Sequence, residues 1–510
     1  MKDVVVTLVH LSQYLVIGYF LALNTVYLVL LVVAGRTIPR LARRRRLTGL
    51  DDLATSPLTP PVSIVTAAYN EEPTIVESVR AMLALRYPRH EVVLVDDGSR
   101  DGTFDRLREA FGLVPVERVR PQEITSREPA RAVYVSTHSV PLTVVRTENS
   151  GKADSLNLGI DLASHPLVCM VDADSLLDED ALLTLAQPFV ADPLHVVAAG
   201  GVIRPVNDSV VRHGQVAEPR VPKGWLPRIQ VVEYLRAFLM GRTGWARLHG
   251  LLIISGAFGL YRRDVLPEGV GGMNADSLGE DFELVVRLHR HLRDRHRPYR
   301  IEFVPEPVCW TEVPDSGRVL ARQRRRWHRG LYETLLRHRR MLLRARYGVI
   351  GMVAYPYFVL FELLAPLLEV WGLITVCVGF GFGLVSAPLA LLFLLAAFGY
   401  AVLLSLLALL LDELGLHRYR RLGDLAAVAA ATVVENLGYR QLTALWRLQG
   451  WWASLRKGTP VWGEMTRSGF AGTTPLDHGS HATVPETAAG QAPTGARSPA
   501  AAPRDRGTSH

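Results

Sequence analysis

Four short motifs carry the residue types that could do chemistry in this chain. In sequence order they are Val95-Asp96-Asp97-Gly98-Ser99, Asp172-Ala173-Asp174, Gly279-Glu280-Asp281 and Gln323-Arg324-Arg325-Arg326-Trp327. Carboxylates can hold a cation or accept a proton, an arginine fork can bind phosphate, and a planar indole can stack on a sugar ring. Each motif alone also has an ordinary structural explanation, so only their combination and order indicate a single site.

Asp172 and Asp174 come directly after an apolar run over 167–171 that predicts a buried strand. Two carboxylates two residues apart in a turn can face one cation. Hard oxygen ligands suit Mg²⁺ or Mn²⁺, which bind nucleotide phosphates with few protein ligands. The alternative interpretation is a helix N-cap, in which Asp174 and Ser175 open a helix before Asp178.

Asp96 and Asp97 also follow a predicted strand, and their acidic oxygens could accept hydrogen bonds from a base and a ribose. Ordinary turn chemistry is the alternative, since Asp and Gly favour turns. The chain lacks G-x-G-x-x-G, so the dinucleotide-binding fingerprint is absent. Asn149-Ser150-Gly151-Lys152 precedes a predicted helix, where a Gly turn and a Lys could bind a diphosphate or simply start the helix.

Glu280 and Asp281 open a predicted helix that runs to Arg290. Acids in a first turn can merely complement the helix dipole, or Asp281 could project into the site as a general base. The motif at 323–327 lies in a basic, amphipathic stretch. It predicts either a membrane-surface helix with Trp327 as an interfacial anchor, or a site that binds a sugar and a phosphate.

The elements that must position these motifs alternate between strand and helix. The pattern predicts strands over 62–68, 91–95, 142–145 and 167–171, and helices over 72–85, 101–111 and 152–163. This alternation is typical of an α/β fold with a mainly parallel sheet. Ligands of such sheets lie at the carboxyl ends of the strands. Asn70-Glu71, Asp96-Asp97 and Asp172-Asp174 all follow strand ends, so one crevice could hold them.

Apolar residues concentrate towards the two ends of the chain. A stretch over 12–34 is long enough to span a membrane, and the arginines after it, at 36, 40 and 43–46, predict that the following domain is cytoplasmic. A signal peptide is the less favoured alternative, because no small-residue cleavage site follows. The segment 348–411 predicts two more spanning helices with a turn at 379–383.

The predicted boundaries follow from these patterns. They are a transmembrane helix over 1–35, a cytoplasmic α/β domain over 60–315, a basic interfacial helix region over 316–346, two transmembrane helices over 347–412, an interfacial, re-entrant or fourth membrane helix over 424–457, and a disordered tail over 471–510.

Composition excludes other classes of protein. The net charge of +8, from 57 Lys and Arg against 49 Asp and Glu, could suggest nucleic-acid binding. We predict no nucleic-acid partner, because the arginine clusters at 43–46, 324–326 and 418–421 lie beside apolar segments, where lipid headgroups explain them better. Three widely separated cysteines form no disulfide framework or metal-ligand spacing and suit a reducing compartment.

With all four motifs in place, the chain resembles the membrane-bound, inverting family 2 glycosyltransferases. That group includes the cellulose, hyaluronan, chitin-oligosaccharide and poly-N-acetylglucosamine synthases. The series D, D-x-D, E/D-D and Q-x-x-R-W covers about residues 60–330 of this chain. The resemblance implies a GT-A fold, a UDP-sugar donor, Mg²⁺ or Mn²⁺ as cofactor, and a polysaccharide or glycolipid acceptor.

The resemblance also implies roles for individual residues. These are Asp281 with Glu280 as catalytic residues; Tyr69, Glu71, Asp96, Asp97, Lys152 and Asp172 at the donor nucleotide; Asp172 and Asp174 at the metal; and Arg262, Gln323, Arg326 and Trp327 at the acceptor and diphosphate. The chain departs from the family pattern at Ala68, where members often carry Pro. It also has a longer segment between Ser99 and Asn149, and residues 114–141 have no predicted role.

The sequence therefore predicts an inverting, metal-dependent glycosyltransferase in the plasma membrane, with several spans and a cytoplasmic catalytic domain. It would extend a polysaccharide and could couple extension to export. A polymer of β-linked N-acetylglucosamine is our first expectation, because a single N-terminal helix and a helix group after the catalytic domain resemble that branch. Two alternatives remain: single addition of a sugar to a lipid-linked acceptor, and a catalytically silent membrane scaffold or transporter. No partner subunit is indicated.

Overall fold

A mixed β-sheet flanked by helices carries the four motifs. The computed structural model describes residues 2–47, 49–212, 214–383, 387–416 and 421–456. Its strands are β1 (Val62–Ala68), β2 (His90–Asp96), β3 (Leu113–Val116), β4 (Ala132–Ser136), β5 (Leu142–Arg146), β6 (Leu167–Val171), β7 (Leu176–Leu177), β8 (Val196–Pro205), β9 (Val210–Arg212), β10 (Gln215–Glu218), β11 (Phe258–Arg262) and β12 (Arg300–Thr311).

The α-helices surround the sheet and continue beyond it. They are α1 (Lys2–Leu47), α2 (Leu50–Thr55), α3 (Ile75–Leu83), α4 (Thr103–Phe111), α5 (Lys152–Leu162), α6 (Ala181–Ala191), α7 (Trp225–Tyr234), α8 (Thr243–Arg247), α9 (Glu280–Asp294), α10 (Gly317–Arg337), α11 (Tyr355–Tyr357), α12 (Ala365–Gly381), α13 (Ala387–Leu394), α14 (Tyr400–Leu416), α15 (Leu422–Val434) and α16 (Arg440–Leu455).

Short π-helical and 3₁₀ segments join several of these helices. The π-helical segments are Leu235–Arg242, Leu266–Val270, Ile350–Ala354, Phe358–Leu363, Leu395–Gly399 and Glu435–Tyr439, and the 3₁₀ segments are Arg339–Met341 and Ala345–Tyr347.

The predicted α/β class is confirmed, and the parallel arrangement holds for the centre of the sheet. Ten strands run in the order β3-β4-β5-β2-β1-β6-β11-β8-β12-β7. The central strands β5, β2, β1 and β6 are parallel, as are β8 and β12, whereas the other neighbours are antiparallel. The sheet is therefore mixed, because β3 and β4 return without the crossover helix that a parallel connection needs.

Strand register brings the predicted motifs to one edge. Ala68 of β1 lies opposite Asp96 of β2, and Val62 lies opposite both His90 and Leu167, the first residues of β2 and β6. The residues that follow these three strands therefore emerge together. Every residue of β6 is buried, which agrees with the continuous apolar run of a strand covered on both faces.

The segment 114–141, which had no predicted role, extends the sheet. It forms β3 and β4, and β4 pairs with β5. The connection between β3 and β4 is hydrogen-bonded to two buried carboxylates of α5. Asp154 accepts the backbone N–H of Arg127 at 2.7 Å, and Asp161 accepts that of Glu123 at 2.8 Å. Arg120 donates from Nε to Asp161 at 2.8 Å, so this loop is held against the domain.

Several helices have the length and composition of membrane spans. Within the described part of the chain, two helical stretches are long and apolar enough to cross a membrane, Val9–Leu41 and Ala390–Gly415. A third candidate is the pair Ile350–Leu363 and Ala365–Gly381, which is bent by 46°. The region predicted over 424–457 forms α15 and α16, with a kink at Leu437 and Gly438. The predicted tail over 471–510 lies outside the described residues.

Candidate functional site

A cavity of about 1740 Å³ lies at the carboxyl edge of the central strands. Its walls come from the ends of β1, β2 and β6, from the first turns of α5 and α9, and from the middle of α10. Of the predicted site residues, it brings together Tyr69, Glu71, Asp97, Lys152, Asp172, Asp174, Glu280, Asp281, Gln323, Arg326 and Trp327.

The end of β1 contributes Tyr69 and Glu71 through a strained turn. Asn70 between them has a φ of 55°, in the left-handed region that Asn tolerates better than most residues. The hydroxyl of Thr103 accepts the backbone N–H of Glu71 at 2.9 Å, and Ser99 Oγ accepts that of Asn70 at 3.1 Å. The turns after β1 and β2 are thus bonded to each other, which fixes where Tyr69 and Glu71 face the cavity.

Asp97 accepts hydrogen bonds from the loop that leads into α5. Its two carboxylate oxygens accept the backbone N–H groups of Ser150 at 2.9 Å and Gly151 at 3.0 Å. Burial raises the pKa of Asp97, and these hydrogen bonds oppose the shift. Gly98 follows with a φ of 70°, and a Cβ there would lie 2.7 Å from the backbone nitrogen of Asn149, so the close approach requires glycine.

Asp96 faces away from the cavity. Its carboxylate is fully buried, accepts the backbone N–H of Ser99 at 3.0 Å and lies 3.5 Å from Nε of Arg146. The guanidinium of Arg146 in turn lies over the ring of Phe104 at 4.3 Å. Of the two adjacent aspartates, only Asp97 lines the cavity, because successive side chains of an extended backbone point to opposite sides.

Lys152 and two acids form a charged group at the start of α5. The ammonium of Lys152 is ion-paired with Asp172 and lies 3.7 Å from Oε1 of Glu280. Burial alone would lower the pKa of Lys152, but Asp172 and Glu280 outweigh it and hold the pKa above its ordinary value. Burial raises the pKa of Glu280, and Lys152 opposes that shift. A lysine at this helix N-terminus could bind an anion.

Asp174 lies in the cavity wall and not at a helix start. The following helix, α6, begins at Ala181 with Asp180 as its N-cap residue, so the interpretation of Asp174 as an N-cap was wrong. Asp172 keeps 29% of its side chain exposed. Among the described residues no group of three or more His, Cys, Asp or Glu could hold a metal. Two carboxylates nevertheless fit Mg²⁺ or Mn²⁺, which take remaining ligands from phosphate and water.

Asp281 is oriented by backbone groups at the start of α9. Its Oδ2 accepts the N–H of Gly256 at 3.0 Å, and its Oδ1 accepts the N–H of Phe282 at 2.8 Å. A Cβ at Gly256 would lie 3.4 Å both from Asp281 Cβ and from Lys152 Nζ. The cation at α5 and the carboxylate of Asp281 therefore approach each other across Gly256.

Helix α10 brings Gln323, Arg326 and Trp327 to the opposite wall, and Trp327 is 41% exposed. The helix is not a free membrane-surface helix. Arg324 forms an ion pair with Glu233, and its guanidinium lies 4.8 Å from the Trp327 ring. Arg324 and Arg326 therefore line the cavity, so lipid headgroups do not account for them, whereas Arg325 is exposed outside it.

Arg262 lies far from this group. β11 runs antiparallel to β6, with Phe258 opposite Val171 and Arg262 opposite Leu167. Arg262 is therefore at the amino-terminal edge of β6, the edge opposite to Asp172. Its guanidinium binds Asp264 and the backbone oxygens of Pro193 and Leu194. The sequence pattern does not show the direction of β11. Arg262 is therefore not part of the cavity that contains the other predicted residues.

The cavity also contains residues that the motifs did not indicate. Arg242 ends a π-helical segment, stacks 3.7 Å over Phe238 and donates from Nε to the oxygen of Ile253 at 3.3 Å. Burial lowers its pKa to about 10, and Asp281 opposes the shift. Glu362 and Arg447 extend the lining towards the apolar helices. An acid within an apolar run, as at Glu362, is the signal that could have been used.

The amino-acid sequence of this chain is similar to sequences of known proteins. A family model described as "Glycosyltransferase like family 2" matches residues 60–330. Poly-beta-1,6-N-acetyl-D-glucosamine synthase of Staphylococcus aureus (strain COL) is 30% identical over 278 residues, which are 54% of this chain and 56% of the relative. The enzyme of the same name from Staphylococcus epidermidis is 29% identical over 277 residues. The chain spans about half the length of these curated relatives.

Two solved structures are also similar. A mannosyltransferase from Pyrobaculum calidifontis in complex with GDP-Man and Mn²⁺ is 21% identical, with a TM-score of 0.48, over 83% of this chain and 99% of that one. TarS 1-349 of S. aureus is 16% identical, with a TM-score of 0.34, over 75% of this chain and 91% of that one.

Proposed function

Because this chain belongs to glycosyltransferase family 2, we propose that it transfers a sugar from a UDP-sugar to a growing polysaccharide, with inversion at the anomeric carbon. The observation that carries the proposal is the common cavity of Asp281, the Lys152–Asp172 pair and Trp327. A base, a group that binds anions and a surface for a sugar ring are the parts that such a transfer needs.

In the proposed reaction Asp281 is the general base. Its carboxylate takes the proton of an acceptor hydroxyl while the oxygen of that hydroxyl bonds to the anomeric carbon of the donor sugar. The bond from that carbon to the diphosphate oxygen breaks, and its electron pair leaves with UDP. Attack opposite the leaving group inverts the configuration. The N–H groups of Gly256 and Phe282 hold the carboxylate in place for this step.

Lys152, Arg326 and Gln323 are proposed to bind the departing diphosphate. All three line the cavity, and Lys152 already lies against carboxylates that leave its charge in place. Asp172 and Asp174 would hold a divalent cation, which when bound supplies Lewis-acid neutralisation of the diphosphate charge. Asp172 pairs with Lys152 here, so the same carboxylate would serve both cations.

The proposed donor nucleotide lies towards the turns after β1 and β2. Tyr69 and Glu71 are offered as contacts to the base and ribose, and Asp97 as the residue that shapes the loop beside them. For the sugar we propose N-acetylglucosamine in β-linkage. The similarity to the two poly-beta-1,6-N-acetyl-D-glucosamine synthases supports this choice.

We further propose that the enzyme is a plasma-membrane protein with several spans and a cytoplasmic catalytic domain. The candidate spans over 9–41, 350–381 and 390–415 support this placement. The cavity is also lined by Tyr27 and Leu30 of α1 and by Glu362. We propose that the acceptor chain leaves along this wall of the cavity, which would couple its extension to export.

The test uses the full chain, purified in detergent, with UDP-N-acetylglucosamine and, separately, other UDP-sugars. We expect UDP release together with products of many sugar units, measured by nucleotide assay and mass spectrometry. If the product is instead a lipid-linked acceptor that carries one added sugar, the enzyme has the alternative function of single addition. Folded protein that releases UDP from none of the donors would overturn the proposal and leave a silent scaffold or transporter.

A further inference from the structure

A group of arginines on the surface lies away from the cavity and has no role in the proposed reaction. Six of them, which we call the arginine surface, are exposed and have no ion-pair partner among the described residues; they are Arg295, Arg297, Arg337, Arg339, Arg340 and Arg344. Only Arg337 lies in the last turn of α10, where it could complement the helix dipole. The other five need another explanation for their concentration of charge.

The fold brings two distant segments together to make this surface. The hydroxyl of Tyr347 donates to Asp294 at 2.9 Å, and Arg346 pairs with the same carboxylate at 2.8 Å. A Cβ at Gly348 would lie 3.6 Å from the guanidinium of Arg293. A cleft lined by Arg290, Glu333, Leu336, Arg337, Arg339 and Arg340 joins the end of α10 to α9. These contacts bring the segments 290–297 and 337–346 together, and arginines outnumber acids in both.

Apolar side chains project beside these charges. Leu343 is 64% exposed and Leu336 is 47% exposed. Leu343 has a φ of 54°, a conformation that a branched L-residue rarely adopts and that persists only where the surrounding structure imposes it. Its N–H donates to the oxygen of Gly351 at 3.0 Å, which holds the turn in place. The strained turn therefore presents a leucine to the outside between two groups of arginines.

The chain enters a candidate membrane span directly after this surface. The span begins at Ile350, and Met352 and Val353, at 46% and 51% exposure, continue the apolar side chains outward. A row of cations beside projecting apolar side chains matches the boundary between headgroups and acyl chains. Arginine forks also match the geometry of phosphate oxygens.

We propose that the arginine surface binds the headgroups of anionic phospholipids, with Leu343 inserted among the adjoining acyl chains. The inference rests on the proposed membrane spans and not on sugar transfer. It goes beyond the reaction, because it assigns a lipid partner to a face that the cavity does not include.

The test measures lipids on the purified full chain by native mass spectrometry in a mild detergent. Dioleoylphosphatidylglycerol and dioleoylphosphatidylcholine are added in turn. The quadruple variant R337Q/R339Q/R340Q/R344Q should retain at least fivefold less phosphatidylglycerol than the unchanged chain, with phosphatidylcholine unaffected. Added salt should reduce phosphatidylglycerol retention by the unchanged chain, since exposed charges are screened.

The matched control removes four exposed arginines from other faces, as R89Q/R106Q/R108Q/R212Q, with the same change in net charge. The control should retain phosphatidylglycerol normally. If the unchanged chain and both variants retain equal amounts of phosphatidylglycerol, or if both variants lose it equally, the lipid is not bound at the arginine surface and the proposal is overturned. Retention of an RNA oligonucleotide in place of phosphatidylglycerol would also overturn it. If the quadruple Gln variant does not fold, the double variants R337Q/R339Q and R340Q/R344Q are measured instead, and normal phosphatidylglycerol retention by both would overturn the proposal.

Failure of this inference and failure of the proposed function are separate outcomes. Lipid retention is counted on folded protein without any donor or acceptor. A chain that binds phosphatidylglycerol through these arginines but releases no UDP would keep the lipid site and lose the enzyme. The reverse result would keep the enzyme and lose the lipid site.

Discussion

The carboxylate of Asp281 is held at both oxygens by main-chain N–H groups, one from its own helix and one from Gly256 in the turn before β11. Backbone donors cannot change rotamer, so the orientation of this carboxylate depends on the packing of α9 against the sheet. The same holds for Asp97, whose oxygens accept two N–H groups of the loop before α5. At this scale, main-chain N–H groups orient both the acid that is proposed as the base and the acid that shapes a loop.

Replacing Asp281 by Asn should abolish transfer while leaving donor binding intact. The amide keeps one acceptor oxygen for a backbone N–H but cannot take a proton, and loss of a general base costs about 10²- to 10⁴-fold in rate. Binding of UDP-sugar and turnover are measured separately on the same preparation. A loss of nucleotide affinity equal to the loss of turnover would show that Asp281 serves the donor instead.

Asp174→Ala should weaken binding of the UDP-sugar only when divalent metal is present. The substitution removes a proposed metal ligand that lines the cavity. Calorimetric titration with Mn²⁺ and with EDTA measures the difference. Asp105→Ala, on the exposed face of α4, is the control and should leave both titrations unchanged. Unchanged affinity and unchanged response to EDTA in Asp174→Ala would place the metal elsewhere.

Trp327→Ala should reduce transfer to acceptor about a hundredfold while donor hydrolysis falls much less. The exposed indole is proposed to stack on the acceptor sugar, and misplacement by about 1 Å can cost this much. UDP release with and without acceptor distinguishes the two activities. Trp225→Ala removes another half-exposed indole that does not line the cavity and serves as the control. Parallel loss of transfer and hydrolysis would leave Trp327 as a structural anchor.

At the scale of elements, α10 is clamped from two sides by glycine contacts. A Cβ at Gly330 would lie 2.7 Å from the backbone nitrogen of Gly279, directly before Glu280 and Asp281. A Cβ at Gly450 of α16 would overlap the backbone oxygen of Arg325. Arg447 of α16 also donates to Nδ1 of His328 at 3.3 Å. The helix predicted as an interfacial or re-entrant segment therefore supports the helix that carries Trp327.

Gly330→Ala should lower transfer at least tenfold, because the added methyl group must push α10 away from the start of α9 and so separate Trp327 from Asp281. The midpoint of thermal unfolding should change little, since a small shift of one helix can relieve the clash. Gly317→Ala in the first turn of the same helix meets nothing within 4 Å and is the matched control. Full activity of Gly330→Ala would show that the spacing between α9 and α10 is not required.

At the scale of the whole molecule, buried ion pairs join the sheet domain to the apolar helices. Arg204, at the end of β8, pairs with Asp412 of α14, and both side chains are almost fully buried. Arg236 pairs with Glu435 beside the kink between α15 and α16, and it also donates to Ser405 at 2.8 Å. Arg440 reaches Glu369 of α12 at 3.2 Å. These contacts pack the sheet domain against the apolar helices.

Asp412→Ala should destabilise the protein strongly, by about 3–5 kcal/mol, because it removes the carboxylate that pairs with the buried guanidinium of Arg204. Unfolding by heat or denaturant in detergent measures the loss. Glu218→Gln breaks the exposed pair with Arg421 and should change the unfolding midpoint little. Equal effects of the two substitutions would show that burial of the Arg204–Asp412 pair does not matter for stability.

The sequence by itself determined the parts of this protein that depend on neighbouring residues. The strands Val62–Ala68 and Leu167–Val171 have the predicted bounds, and α5 begins at Lys152 as predicted, because apolar runs and turn residues act locally. A similarly simple rule accounts for six of the eleven predicted site residues that line the cavity, those that follow the parallel strands β1, β2, β5 and β6. Residues after parallel strands emerge at one edge.

Only the tertiary structure decided which elements approach each other and in which direction. The antiparallel course of β11 separated Arg262 from the site, and pleating turned Asp96 away while Asp97 faced the cavity. The support of α10 by Gly450, the edge strands formed from 114–141 and the joining of 290–297 to 337–346 had no local signal. Each depends on contacts between residues distant in sequence, and strand pairing, close backbone approach and buried charge pairs are satisfied only when the whole chain is packed.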